Sequence, residues 1–344
     1  MSDKVVKFGI VGCGRIYKNH INAAKFVQGV EIVAICDSDE FKLGQAMIET
    51  GLPGFRDFRD LAGFGIDAVI LCLPHDQHAQ VCIEMASLGI HVLSEKPIST
   101  TLEDSDKMIA ACDASGVNLG VVFQHRHNEN SILLKRLITD GDIGDLILGT
   151  AIFQYHKSAS DSAYLEWRGT KKSAGGGVLA NFGVHTVDLF FWLMGEVENT
   201  EGYISTLTLG TEVEDTAVAS IQFKSGALGT IAATLSSSVE FESRITIAGT
   251  KASAILTDST RLEVQRNDGR SEVHEFKGLL NDPQYPTKPP YGRGHIDVLK
   301  DFRLSILEGS SPSCNGQSAR QTQRAILEIY SKSEHKFQHV KEEK

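Results

Sequence analysis

The 344-residue sequence predicts an α/β chain of two domains, on two observations. Its first third alternates short runs rich in Val and Ile with stretches of helical periodicity, the pattern of a parallel sheet covered on both faces. Beyond residue 124 strands and helices segregate, and a long succession of strands joined by tight turns describes an α+β domain. The expected division is therefore 1–123 and 124–344, with the C-terminal helix a candidate to pack back on the first domain.

Taken in order, the runs at 5–11, 31–36, 68–73, 90–93 and 118–123 read as buried parallel strands, because each is short, apolar and bounded by turn residues. Helical spacing fills the gaps at 19–27, 41–50, 77–88 and 102–115. In the second part, 130–139 and 184–194 carry apolar residues at helical spacing. From 198 to 274 the chain reads as successive strands, with Lys224-Ser225-Gly226, Ala248-Gly249-Thr250 and Asn267-Asp268-Gly269 as hairpin turns. A Pro-rich loop at 282–290 precedes two helices at 294–307 and 317–333. So long an antiparallel run implies a large sheet with one open face, the kind of surface that commonly becomes a subunit interface.

Composition narrows the function. With 41% hydrophobic and 23% charged residues the chain is ordinary globular protein. A net charge of −10 argues against a nucleic-acid partner. No segment is apolar for long enough to span a bilayer, and Met1-Ser2-Asp3-Lys4 runs into a strand without the apolar core of a secretory signal. The cysteines at 13, 36, 72, 82, 112 and 314 lack metal-binding spacing and several sit in apolar runs, which suggests reduced thiols and a cytoplasmic location.

The first strand ends in Gly9-Ile10-Val11-Gly12-Cys13-Gly14-Arg15-Ile16-Tyr17, and a helix opens there. Glycines at 12 and 14 permit a tight turn and close approach of backbone to a pyrophosphate, which the helix N-terminus would attract. Strand, glycine turn and helix in that order are the context that gives the motif meaning. Tyr17 stands where a small third residue is usual, so helix–strand packing must differ there. Asp37 ends the second strand, twenty positions after Tyr17. An acid there accepts from ribose hydroxyls and repels a 2′-phosphate, so the expected cofactor is NAD rather than NADP.

Two further segments carry chemistry. Glu95-Lys96-Pro97 closes the fourth strand and puts a lysine at the carboxyl edge of the sheet, where open α/β sheets bind ligands. Gly175-Gly176-Gly177 leads into Asn181, His185 and Asp188, which helical spacing places on one face. Three glycines would let backbone pass close to a ligand. Removing hydride from an alcohol requires a group to take the hydroxyl proton and one to hold the oxygen; His suits the first role and Lys either.

As an ordered set, Gly12-x-Gly14, Asp37, Pro74-x-x-x-His78, Glu95-Lys96-Pro97, the 175–188 segment and the helix at 294–307 resemble the Gfo/Idh/MocA family of nicotinamide-dependent sugar oxidoreductases. The resemblance covers nearly the whole chain. It implies an N-terminal Rossmann domain and a C-terminal α+β domain with a large, mostly antiparallel open-faced sheet. It also implies a homodimer or homotetramer built through that sheet. Carried over, it implies cofactor contacts at Gly12, Gly14, Arg15, Ile16, Asp37, Pro74, His78, Glu95, Lys96 and Gln124, with Lys96, His185 and Asn181 as catalytic residues and no metal.

Many members carry an aspartate four residues before the catalytic histidine, and here that position is Asn181. An amide cannot raise imidazole basicity as a carboxylate does, so more of the proton transfer falls to Lys96 or to a substrate or cofactor group. Asn181 after a triple glycine resembles the branch acting on UDP-N-acetylglucosaminuronate, the 3-dehydrogenases of bacterial surface-polysaccharide sugar synthesis. Gln124-His125-Arg126-His127-Asn128 and Tyr164-Leu165-Glu166-Trp167-Arg168-Gly169-Thr170 point the same way. The substrate contacts so implied are Arg126, Asn128, Tyr164, Trp167, Arg168, Asn181 and His185, guanidinium groups being suited to a carboxylate or diphosphate; Lys171 is a further candidate cation. The alternatives are a free-sugar or inositol dehydrogenase of the same family, or a nucleotide-binding regulator that keeps the fold without turnover.

Overall fold

The computed structural model describes residues 4–158, 166–276 and 294–342. Tyr164 and the Pro-rich loop at 282–290 lie outside the described residues. The chain divides into two compact units, Met1–Val122 with Gly294–Arg320, and Phe123–Arg293 with Gln321–Lys344.

The first unit is built on a six-stranded parallel sheet of order β3-β2-β1-β4-β5-β6. The strands are β1 Val6–Val11, β2 Val30–Cys36, β3 Gly54–Phe55, β4 Ala68–Leu71, β5 His91–Ser94 and β6 Leu119–Val121. Helices α1 Tyr17–Ala24, α2 Glu40–Thr50, α3 Arg59–Gly63, α4 His78–Ser87 and α5 Leu102–Ser115 alternate with them. β4 is buried at all four positions, as a strand covered on both faces must be. This is the Rossmann strand order, whose direction reverses between β1 and β4, so ligands are expected at the carboxyl ends of those strands. β3 and α3 escape the sequence reading because two and five residues carry too little periodicity to register.

The segment Gly294–Arg320 groups with this unit rather than with everything after residue 124. Its helix, here α9 (His295–Glu308), buries Ile296, Val298, Leu299 and Phe302. The Phe302 ring sits where a side chain at Gly120 would stand, with an added Cβ only 2.8 Å from its edge. Arg303 donates to the carbonyls of Gly29 and Lys4 at 2.9 and 2.7 Å. An apolar face and a buried guanidinium thus tie a distant stretch of sequence to the first sheet, a pairing no local pattern encodes.

The second unit holds an eight-stranded sheet of order β14-β13-β12-β11-β7-β10-β9-β8. Its strands are β7 Leu146–His156, β8 Val197–Ser205, β9 Thr216–Phe223, β10 Leu228–Thr234, β11 Ser236–Gly249, β12 Ala252–Thr257, β13 Arg261–Arg266 and β14 Ser271–Glu275. All neighbours are antiparallel except β7 and β10. The three expected hairpin turns join β9 to β10, β11 to β12 and β13 to β14. Helices α6 Glu129–Thr139, α7 Lys171–Ala174 and α8 Val184–Met194 belong here, as does most of α10 Gly316–Glu342.

Sequence patterning passes over β7, the strand between β10 and β11, because its inward face is Gly149, Ala151 and Phe153, two of them too small to signal a core. The reason lies in α8. Phe190 is fully buried and lies against both Gly149 and Gly229, where an added Cβ would come within 2.6 and 2.9 Å of its ring. Phe190 also meets Phe223 edge to face at 5.8 Å. Burying each such ring contributes about 1.5–3 kcal/mol. The opposite face of the sheet is bare and partly apolar, with Val218 at 52%, Leu228 at 56% and Phe241 at 61% exposure. Among the described residues no single helix is long and apolar enough to cross a membrane.

Candidate active site

In the first unit the glycine turn connects β1 to α1. Gly12 has φ of +100°, and a Cβ there would overlap the Cys72 carbonyl at the end of β4. Protein packing alone therefore demands glycine at 12. Gly14 is different: it is exposed, and an added Cβ would meet no described atom within 4 Å. The space above Gly14 is therefore open. Among the described residues no side chain caps the N-terminus of α1, which leaves its dipole end to face that space. Arg15 is exposed and Ile16 half-buried beside it.

Asp37 stands beside the glycine turn. Its carboxylate accepts from the Cys13 N–H at 2.7 Å and the Asp39 N–H at 2.9 Å, which binds the end of β2 to the glycine turn. A carboxylate has about four acceptor positions, so capacity for ribose hydroxyls remains. Burial and the charge of Asp37 push the Cys13 thiol up to about 12, so it stays protonated within the turn. Tyr17, the unusual third residue, buries its ring and donates to Glu49 of α2 at 2.7 Å. A phenol reaching α2 replaces the close contact a small residue would have made.

Two expected cofactor contacts are reassigned. The His78 ring is fully buried, with Nδ1 3.0 Å from the Pro97 carbonyl and Nε2 3.1 Å from the Leu73 carbonyl. Burial lowers its pKa despite those carbonyls. The ring ties the turn after β4, where Pro74 is half-buried, to the turn after β5. The Glu95 carboxylate also points inward, accepting from His20 Nε2 at 2.9 Å and from the Lys96 N–H at 3.3 Å. Burial opposes its ionisation, but His20 and His295 outweigh it and hold the carboxyl well below the usual range. Lys96 alone between Val92 and Ser99 is not buried.

In the second unit His185 repeats that pattern, being the one residue of Gly183–Phe191 that is not buried. Its ring stacks on His125 with centroids 5.0 Å apart and meets Phe123 edge-on at 6.3 Å. Gln124, 2% exposed, places Nε2 3.5 Å from His185 Nε2, and its Oε1 has no donor among the described residues.

The expected single helical face through 181, 185 and 188 does not form. Val178–Phe182 is a turn of π-helix, closed by the Gly183 N–H to the Val178 carbonyl at 2.7 Å. The segments Lys171–Phe182 and Val184–Met194 meet at 62°. π-turns concentrate at functional sites, and nothing in residue spacing announces them. Asn181 is buried within the turn. Asp188 faces elsewhere, accepting from Arg126 Nε at 2.7 Å and from the Thr322 hydroxyl at 2.8 Å. Arg126 is itself only 6% exposed, forked on both carboxylate oxygens and overlaid by the Phe123 and Trp192 rings. Its charge is therefore matched inside the protein by Asp188.

The glycine triplet is also reassigned. A Cβ at Gly176 would overlap the Tyr330 hydroxyl, and one at Gly177 the Glu214 carbonyl, so these glycines admit protein rather than ligand. Asn128 is buried at the start of α6. Trp167 and Arg168 are half-buried, the guanidinium lying 4.4 Å from the indole centroid, and Lys171 is exposed.

Comparison with known proteins agrees with this geometry. Residues 6–123 match the oxidoreductase family with an NAD-binding Rossmann fold, and residues 132–255 match the GFO/IDH/MocA C-terminal domain. The WlbA dehydrogenase of Bordetella pertussis, solved with NADH and UDP-GlcNAcA, is 32% identical with a TM-score of 0.86 over 97% of each chain. WlbA of Chromobacterium violaceum, solved with the same two ligands, is 30% identical with a TM-score of 0.82 over 97% of this chain and 95% of that one. Myo-inositol 2-dehydrogenase of Thermotoga maritima is 26% identical over 92% of each chain. With an open glycine cradle, an acid at the end of β2 and these matches along its length, the chain belongs to the Gfo/Idh/MocA family of oxidoreductases and uses NAD.

Proposed function

We propose that the protein oxidises a ring hydroxyl, at C3, of a nucleotide-linked N-acetyl sugar acid such as UDP-N-acetylglucosaminuronate, in bacterial surface-polysaccharide synthesis. The observation that carries the reading is likeness, over 97% of this chain, to two dehydrogenases solved with UDP-GlcNAcA, together with an asparagine at position 181. Bound NAD supplies the hydride acceptor; the protein must hold the reacting oxygen and take its proton as the carbonyl forms. Lys96 and His185 are the groups assigned to that work, each presented outward from a buried turn. No carboxylate stands at 181, and that of Asp188 is spent on Arg126 and Thr322. Lys96 therefore carries much of the proton chemistry, while Asn181 orients substrate. Arg168 is assigned to the anionic part of the substrate, as the resemblance implies, and Trp167, Asn128 and Tyr164 are assigned to substrate on the same ground.

A second reading, a free-sugar or inositol dehydrogenase, is favoured by the inositol dehydrogenase relative. A screen of NAD reduction separates the two. UDP-N-acetylglucosaminuronate should be turned over with the highest kcat/KM, ahead of other nucleotide sugars, free pyranoses and inositols. An inositol or free pyranose in first place would overturn the proposal. We also assign the bare sheet face of the second unit to a homo-oligomeric contact, on its exposed Val218, Leu228 and Phe241; a monomer mass by light scattering would refute that. Six buried cysteines suit a cytoplasmic enzyme.

A further inference from the structure

Three buried groups from three parts of the sequence meet behind Lys96. His20 lies on α1, Glu95 ends β5 and His295 opens α9, with exposures of 0%, 7% and 4%. His20 Nε2 is 2.9 Å from Glu95 Oε1, a hydrogen bond. His295 Nε2 is 3.6 Å from the same oxygen, an electrostatic contact rather than a hydrogen bond. The two imidazoles meet edge to face at 4.6 Å. Glu95 Oε2 turns back to the Lys96 N–H at 3.3 Å. On the far side of Lys96 the Pro97 carbonyl lies 3.0 Å from His78 Nδ1. Cys72, at the end of β4, is the remaining titratable group whose charge interacts with Glu95.

The donor count explains why a carboxylate stands here. His20 Nδ1 is buried with no partner among the described residues. An imidazolium would leave a buried N–H unsatisfied there, so the ring is neutral and its single proton sits on Nε2, facing Glu95. The Lys96 N–H is also a donor. Glu95 thus faces two donors and answers with two acceptor oxygens. A glutamine offers one acceptor and one donor, and one contact must fail. Switching the His20 tautomer would not repair this, because it moves the proton onto the unpartnered Nδ1.

We propose that His20, Glu95 and His295 are positioning residues that clamp the main chain of Lys96, so that its side chain alone leaves a turn fixed on both sides. This rests on the reading that Lys96 handles the reacting hydroxyl. An error of about 1 Å in a reacting group costs roughly a hundredfold in rate. In the full-length enzyme, Glu95→Gln should therefore lower kcat by about a hundredfold. NAD affinity should stay near wild type, the melting temperature should fall by only a few degrees for the one buried donor left unmet, and the Lys96 amide should exchange hydrogen faster by mass spectrometry. His20→Leu should behave likewise. His20→Gln, whose amide N–H still reaches Glu95, should recover most of the rate. In a Lys96→Met background Glu95→Gln should cost nothing further in rate.

Unchanged Lys96 amide exchange in Glu95→Gln would overturn the clamp. So would faster exchange with wild-type kcat, or a loss of kcat that merely follows lost folding. The same three side chains could instead ligate a metal. Stoichiometric zinc in the purified protein would overturn the hydrogen-bonded assignment. Turnover surviving Lys96→Met would remove the lysine reading itself and the clamp with it, a result distinct from a functional lysine with an indifferent Glu95.

Discussion

Replacing Tyr330 with phenylalanine tests how the second unit holds its π-turn. Glu214 is 6% exposed and accepts from the Gly177 N–H at 2.7 Å, the Leu179 N–H at 3.0 Å and the Tyr330 hydroxyl at 2.7 Å. The same hydroxyl accepts from the Ala180 N–H at 3.2 Å. Removing it deletes a hydrogen bond to a buried charged group, about 1.5–3 kcal/mol, and leaves a buried N–H unmet, about 1–3 kcal/mol. A loss of about 4 kcal/mol lowers the melting temperature of a unit this size by roughly 10 °C. The loss also depends on pH. Burial raises the Glu214 pKa above its ordinary 4.5, and the hydrogen bonds from Tyr330, Leu179 and Gly177 only partly offset it. A carboxyl raised in the folded state binds more protons folded than unfolded between the two pKa values, so its contribution to stability falls as pH rises through that window. Losing the hydroxyl raises the folded pKa further. The deficit of Tyr330→Phe should be smallest in acid and grow toward mildly alkaline pH, read by circular-dichroism melting across pH. Wild-type melting, or a deficit flat with pH, would refute the charge on Glu214 as the reason the hydroxyl is needed.

Three other perturbations separate residues that meet ligand from residues that hold structure. Gly14→Ala should change stability by less than about 0.5 kcal/mol, since a methyl there meets no described atom, yet weaken NAD binding about tenfold or more; intact affinity by calorimetry would show that the cradle is not used. Asp37→Asn should narrow the preference for NAD over NADP, measured as the ratio of the two kcat/KM values, and an unchanged ratio would remove Asp37 from cofactor selection. Asp188→Asn leaves Arg126 buried without its counter-charge and should cost about 3–5 kcal/mol while substrate KM moves little. A large change in KM at unchanged stability would return Arg126 to the substrate.

The Rossmann half was legible because its signals are local. Buried parallel strands are short apolar runs, and a positive-φ glycine after β1 leaves a mark in sequence. β7 was not legible, since small inward residues made room for Phe190 from a helix forty residues on. The return of α9 to the first sheet was equally silent, because its partners are Gly120 and the carbonyls of Gly29 and Lys4. Lys96 and His185 could be picked out as residue types. The π-turn before His185 could not, because it depends on Glu214 and Tyr330 holding the 176–180 backbone.

That difference bears on what a motif means. Residues quoted together as one signature divide in the structure by the direction they face. Gly14 is exposed, and Lys96 and His185 are half-buried among buried neighbours. Gly12, His78, Glu95, Gly176, Gly177 and Asp188 face inward, and packing or hydrogen bonding gives each a sufficient reason. A side chain whose identity the protein already requires is poor evidence for a ligand, however regularly it stands beside one that touches it. Lys96 is the sharper case: on the proposed reading the lysine serves the chemistry, while the carboxylate before it answers two donors of the fold, the His20 ring and the Lys96 N–H.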